Sequence, residues 1–245
     1  MKRVLIVQAR MTSTRFPGKI LADLLGQPML KQQLDRLRRC REFEQLVIAT
    51  TVNASDDPVV AMAGSAGVDC FRGDEHDVLS RYLGAARKVH ADLVVRVTAD
   101  CPLIDPEVTD RVIRTAAADG VDRCDYASNT LTRTYPRGLD VEAFSMETLE
   151  RMAREARSDA AREHVTYYLH RERPDLFRRR EVTDDRDNSD LRWTVDTADD
   201  LTLIRLIYER AGLDRDWVPY PRLVEIVRSD AELMRLNRHV RQKET

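Results

Sequence analysis

The chain has no apolar run near the 18 or so residues that would cross a bilayer, and its opening, MKRVLIVQAR, does not follow the pattern of a secretory leader. Its four cysteines, Cys40, Cys70, Cys101 and Cys124, are dispersed and form no CxxC pair. These absences set the expectation of a reduced, cytoplasmic protein without membrane insertion. They also argue against zinc, since His164 and His170 lack a ligand-like spacing and no cysteine pair lies near them. An excess of one charge is missing too: 40 basic residues face 42 acidic ones. That balance removes any global electrostatic case for nucleic acid or an anionic membrane as partner, so anion binding must be local. Neither common phosphate-loop signature is present. There is no GxGxxG, and Gly18-Lys19 is followed by Ile20 with Ser13 where a Walker A loop needs its first glycine. Internal repeats and low-complexity tracts are likewise absent.

What is present begins at Val4. Val4 to Val7 is a continuous aliphatic run, as expected for a strand buried on both faces of a parallel sheet. It ends abruptly in Arg10, the hydroxyls Thr12-Ser13-Thr14, Arg15 and the turn Pro17-Gly18-Lys19. Two guanidiniums and an ammonium in ten residues are not core material. Cations, hydroxyls and a glycine that lets backbone approach a ligand are what a triphosphate needs, although a solvated basic surface loop has the same composition.

A hydrophobic fraction of 42% over 245 residues is enough for one sizeable α/β domain. Strands are predicted at Arg3–Val7, Gln45–Thr51, Val68–Phe71 and Asp92–Val97, and helices at Met29–Cys40, Pro58–Ala66, Asp77–His90 and Pro106–Ala118. Asp57-Pro58 and Asp105-Pro106 each pair a capping residue with a first-turn proline. The rhythm predicts a doubly wound, mostly parallel, Rossmann-like sheet, with its ligand outside the carboxyl ends of the strands. Residues 1–122 form the nucleotide-binding half. Residues 123–190 read as a small acceptor-side elaboration, with strands at Asp125–Asn129, Leu139–Phe144 and Phe177–Val182 and helices over Ser145–Arg157 and Asp159–Arg171. Residues 191–245 would close the domain with a short strand at Trp193–Val195, a helix at Asp199–Ala211 and a charged helical end over Pro221–Lys243.

Val94 to Val97 is a strand that runs out into Asp100, opposite the basic loop. A carboxylate there would repel a triphosphate unless a cation intervened. Magnesium is hard, prefers oxygen and typically takes one or two protein carboxylates plus substrate phosphates. Asp196, closing Trp193-Thr194-Val195, is the second candidate, although Asp196-Thr197-Ala198-Asp199 also reads as a helix cap. Asp105 and Asp56-Asp57 read as helix openers, and Cys101 as a small semi-buried side chain without a partnered base. Gln8 and Ala9 after the first strand, with Thr98 and Ala99 on the neighbouring rim, would bring backbone groups to a nucleobase edge. In the block from Tyr135 to Glu142, alternation places Asp140 and Glu142 on one strand face, where they could accept from ligand hydroxyls, while Arg133 or Arg137 would pair with a carboxylate. A solvated hairpin is the plainer reading of that block. His164 is a further acceptor-side candidate. A helix-face histidine without a visible partner is more often structural.

The motif QARMTSTRFPGK resembles the opening signature of the cytidylyltransferases that make CMP-activated acidic sugars, above all their spore-coat polysaccharide biosynthesis protein F branch. The likeness continues in order through Pro28-Met29-Leu30, Ala49-Thr50-Thr51, Phe71-Arg72-Gly73, Val97–Pro106, Pro136–Glu142 and Trp193–Thr197. It covers roughly residues 1 to 210. The resemblance implies a nucleotidyltransferase fold of the GT-A type, with CTP and a small acidic sugar as substrates. It also implies magnesium on Asp100 and Asp196, and a nucleotide contact from Arg72. Arg10, Arg15, Lys19 and Asp100 would carry the chemistry, with Gln8, Ala9, Ser13, Gly18, Thr98 and Ala99 completing the nucleotide site. No protein nucleophile is required, and one or two ions would both suit two carboxylates. A homodimer is among the assemblies this reading allows. Competing readings are a transferase using another nucleoside triphosphate and a sugar phosphate, a glycosyltransferase, and a nucleotide-binding scaffold without turnover.

Overall fold

The computed structural model describes residues 1–118 and 120–242. In chain order the elements are β1 (Arg3–Gln8), a hairpin of β2 (Asp23–Leu24) and β3 (Gln27–Pro28), α1 (Met29–Leu37), β4 (Gln45–Thr51), α2 (Asp57–Ser65), β5 (Asp69–Gly73), α3 (Val78–Lys88), β6 (Leu93–Thr98) and α4 (Pro106–Ala116). There follow β7 (Tyr126–Ser128), β8 (Glu142–Ser145), α5 (Met146–Glu155), α6 (Asp159–Glu163), β9 (Arg179–Glu181), α7 (Ala198–Ala211) and α8 (Tyr220–Ser229). Seven strands form one sheet in the order β5-β4-β1-β6-β8-β7-β9. The first four are mutually parallel, β8 runs antiparallel to both β6 and β7, and β9 is parallel to β7. The fold is α/β, a mostly parallel sheet with helices on both faces.

Alternation along the central strands feeds two cores. Leu5, Val7, Ile48, Val95 and Val97 face α1, α2, α4, α7 and α8, while Val4, Ile6, Val47 and Val94 face α3, α5 and α6. Val4, Ile6, Val47, Ile48, Val94 and Val95 are all buried, which is why these strands read as unbroken apolar runs. Gln8 lies level with Ala49 on one side and Thr98 on the other, so three carboxyl ends meet at one rim. Among the described residues no helix is long and apolar enough to cross a membrane.

Several elements are shorter than the sequence predicts. In the segment 139–144, pairing begins only at Glu142. Before that the Asn129 side chain replaces the ladder, donating to the Leu139 carbonyl and accepting from the Val141 amide. The helix expected over Asp159–Arg171 stops at Glu163, His164 is extended, and a π-helical turn follows over Tyr168–Glu172. The break lets the Thr166 hydroxyl reach Glu142 at 2.5 Å. No strand forms over Trp193–Val195; the residue before it, Arg192, makes an isolated parallel bridge to Arg137. The final helix ends at Ser229, where Asp230 accepts the Glu232 amide and turns replace helix; Lys243 lies outside the described residues.

Candidate active site

The segment after β1 is a compact loop closed on one carbonyl: Met11 O accepts from both the Ser13 and Gly18 amides at 2.9 Å. Gly18 has φ +74°, a left-handed turn that β-carbon-bearing residues rarely adopt, and it feeds the short turn carrying Lys19. The loop is anchored from below by Asp56. Fully buried, it accepts from the Met11 amide at 2.7 Å and from Thr50 and the Thr51 amide and hydroxyl. Burial opposes ionisation of this carboxyl, but those donors outweigh it and hold the pKa below the usual carboxylate value. Asp56 therefore does more than open a helix.

Asp100 and Asp196 are drawn together by backbone. The Asp100 carbonyl accepts from the Val195 amide at 2.8 Å and the Thr194 hydroxyl at 3.3 Å. Their carboxylates converge on the Lys19 ammonium, 3.2 Å from Asp100 and 2.8 Å from Asp196, and the Val195 carbonyl takes a third proton at 2.6 Å. Burial works against the charge on Lys19, but Asp100 and Asp196 raise its pKa above the ordinary lysine value. Asp196 also receives Arg15 at 2.8 Å and Arg192 at 2.7 Å. Despite burial, Lys19, Arg192 and Arg15 keep its pKa low. The helix cap is made elsewhere: Thr197 and Asp200 form the capping box of α7, which leaves Asp196 to the site. Asp105 is a cap, accepting from the Glu107 and Val108 amides. Cys101 is buried, and burial pushes its thiol well above the ordinary value.

Two cavities open beside this cluster. The first, about 320 Å³, is lined by Gln8, Arg10, Ser13, Arg15, Lys19, Thr98, Ala99, Asp100, His164 and Asp196 from the sequence reading, with Thr14, Ile20 and Glu163 in addition. The second, about 260 Å³, shares Thr98 and His164 with it and brings in Arg133, Asp140 and Glu142. Among the described residues no group of three or more His, Cys, Asp or Glu side chains could hold a metal ion. Two hard carboxylates already gathered on one cationic atom do suit an ion that takes its other ligands from phosphate.

Other candidates are placed differently. Arg72 does not line either cavity; its guanidinium donates to the Thr51 and Asn53 carbonyls and pairs with Asp57. The backbone groups expected to read a base are largely committed to the sheet. Ala9 N–H donates to Ala49, Ala99 N–H to Gln8, and the Thr98 carbonyl accepts from Gln33. Ala9 and Gly18 line neither cavity. Glu142 is no free sugar ligand: it is bound by Arg96, Tyr126 and Thr166. Arg133 grips Asp140 through two hydrogen bonds, at 2.6 and 2.9 Å. Arg137 lines neither cavity, and its backbone bridges to Leu191 and Trp193. Gly138 makes that bridge feasible, since a β-carbon there would lie 2.6 Å from Trp193 and Thr194 backbone. Sequence reading missed Arg192. Its signal was alternation: Trp193 and Val195 enter the core, whereas Arg192 and Asp196 pair on the other side.

A family model described as cytidylyltransferase matches residues 4–213. The chain belongs to the cytidylyltransferase family. It is 33% identical over 214 residues to the spore coat polysaccharide biosynthesis protein SpsF of Bacillus subtilis, covering 84% of this chain and 86% of that one. A 3-deoxy-manno-octulosonate cytidylyltransferase from an Anaeromyxobacter species is 39% identical over 126 residues, half of each chain. A solved cytidylyltransferase from Leptospira borgpetersenii superposes with a TM-score of 0.91 at 32% identity, covering 99% of this chain and all of that one. As a cytidylyltransferase the protein is a nucleotidyltransferase.

Proposed function

We propose that this cytidylyltransferase transfers CMP from CTP to the anomeric hydroxyl of a small acidic sugar, releasing pyrophosphate, in the synthesis of a surface polysaccharide or glycan. The observation that carries the reading is the convergence of Asp100 and Asp196 on Lys19 beside a cavity lined by Arg10 and Arg15. The names of two relatives, one acting in spore coat polysaccharide synthesis and one a 3-deoxy-manno-octulosonate cytidylyltransferase, support the choice of substrates. Arg10, Arg15 and Lys19 would neutralise the triphosphate and the leaving pyrophosphate. The attacking hydroxyl approaches the α-phosphorus in line, from the side of the second cavity, where Arg133, Asp140 and His164 face the acceptor. His164 is partly buried, and burial with the nearby Arg96 and Arg10 lowers its pKa below the ordinary histidine value despite Glu163, which favours the neutral imidazole. Magnesium held by Asp100 and Asp196 would supply positive charge at the α-phosphate and acidify the acceptor hydroxyl.

The test is a pyrophosphate-release screen of four nucleoside triphosphates against 2-keto-3-deoxy acids and sugar phosphates, with and without EDTA. CTP with a keto acid should give the largest rate, and EDTA should abolish it. A preference for UTP or GTP with a sugar phosphate would replace this reading with the alternative transferase.

A further inference from the structure

After α8 the chain does not run off into solvent but folds back across the carboxyl rim. Leu233 is buried in the larger core, and the Asn237 amide donates to the Arg192 carbonyl at 2.9 Å and to Asp200 at 2.8 Å. These contacts lead the chain to the cluster around Asp196. There the Arg241 carbonyl accepts from Arg15 at 3.5 Å, and the Gln242 carboxamide oxygen accepts from Arg192 at 2.5 Å. Arg15 and Arg192 are two of the three cations on Asp196. Gln242 also forms part of the wall of the second cavity, which Arg133 and Asp140 line as well.

An arginine side chain has only donors, so the atom Gln242 turns toward Arg192 must be its oxygen. The polar group it has left is the NH2, which takes no partner among the described residues. We infer that the segment from Asn237 to Gln242 is a strap that completes the acceptor cavity, with the Gln242 NH2 as a specificity-determining donor to the carboxylate of an acidic acceptor. This rests on the acceptor reading given above. The chemistry favours an anion for two reasons. An amide donor pairs best with a charged oxygen, and the neighbouring carboxylates Asp140 and Glu142 are already satisfied by Arg133 and Arg96. A neutral acceptor would make the same contact less strongly.

The experiment compares wild type, Gln242→Ala and Gln242→Glu in pyrophosphate release from CTP with 3-deoxy-manno-octulosonate, and measures CTP affinity by calorimetry. Gln242→Ala should raise the acceptor KM about tenfold, the loss of one hydrogen bond to a charged group, while CTP affinity changes less than about twofold. Gln242→Glu keeps an oxygen for Arg192 but turns a carboxylate toward the acid, so KM should rise further. A role confined to seating Arg192 predicts the opposite, rescue by Glu, and that result overturns the inference. So does an unchanged KM in Gln242→Ala, or a CTP affinity that falls as much as the KM rises. Calorimetric binding of the same acid to the CTP-loaded proteins separates the two levels. Binding to wild type but not to the variants, without turnover, upholds the donor and sinks the proposed reaction; no binding to wild type sinks both.

Discussion

Lys19 holds two carboxylates together, so its removal does two things at once. A lysine in a polar loop would be expected to leave with little loss of packing, yet Lys19 is 7% exposed and donates to three oxygens. Lys19→Ala leaves Asp100 and Asp196 facing each other with less countercharge, and should lower stability by about 3–5 kcal/mol, as when one partner of a buried pair is lost. Added magnesium should recover part of it by binding the folded state. Thermal melts with and without the ion test this; a melt unchanged by the substitution would contradict it. Arg15→Ala is the milder probe, because Asp196 keeps Lys19 and Arg192. Its melt should hardly move while CTP affinity falls about tenfold, and unchanged affinity by calorimetry would take the loop out of the site. Asp100→Asn keeps the side-chain shape and an oxygen for Thr98 but removes the charge. Turnover should fall about a hundredfold with little change in melting; normal turnover across a magnesium titration would exclude Asp100 as a ligand. These residues could be singled out in sequence because each stands at a strand end or in a basic loop. Arg192 left only its alternation as a signal and Gln242 left none, because their places depend on how the segment 192–196 and the C-terminal segment cross the rim.

At the scale of elements, β6 and β8 set Arg96 directly opposite Glu142. Glu142 is buried and the Arg96 side chain is 18% exposed, with Tyr126 and Thr166 donating to the remaining carboxylate oxygen. Sequence alternation set Glu142 in a strand, though Asp140 lies before it, and it could not reveal that an arginine 46 residues earlier would take the carboxylate. What reads as a sugar ligand in sequence is structural in the fold. Glu142→Ala should therefore cost about 3–5 kcal/mol, because it leaves the largely enclosed Arg96 guanidinium unpaired beside the second cavity. Urea unfolding measures this, and a loss under about 1 kcal/mol would show that Arg96 finds another acceptor. The same pair explains the broken helix, since Thr166 reaches Glu142 only where regular helix stops. Parallel strands such as β1 and β6 were legible as apolar runs because they are buried on both faces. The shortened β8 was not, since the Asn129 side chain stands in for backbone partners that propensity assumes.

For the whole molecule, the order β5-β4-β1-β6 follows from alternating strands and helices, whereas the insertion of β8 between β6 and β7 depends on tertiary packing that no local pattern encodes. That packing also buries titratable groups on every layer, and their shifts set how stability varies with pH. His164 and His170 both have pKa values lowered from the ordinary 6.5, chiefly by burial. The unfolded chain then takes up protons below pH 6.5 that the folded chain refuses, so stability declines as pH falls from that value. Asp56, Asp196 and Glu142 act lower. Burial opposes their charge, but hydrogen bonds and nearby cations hold each below its ordinary carboxylate value. Their contribution is complete above that ordinary range and is lost as pH falls through the depressed folded values. Asp110, raised by burial, has the opposite sign and offsets part of the gain at neutral pH. On the alkaline side Lys19, raised above 10.5 by its two carboxylates despite burial, contributes fully below that value and loses its contribution as pH rises through its folded pKa. Burial raises the Cys40, Cys70, Cys101 and Cys124 thiols above their ordinary 9.0, so the unfolded chain gives up those protons first and stability falls as pH rises past about 8.5. Stability should thus be flat only from about pH 6.5 to 8.5, decline gently toward pH 5 and fall steeply below about 4. Urea midpoints across pH measure the curve, and His164→Gln with His170→Gln should flatten the limb between pH 6.5 and 5 while leaving the steeper acid limb in place. If that double variant retains the gentle limb, the two histidines are not its source.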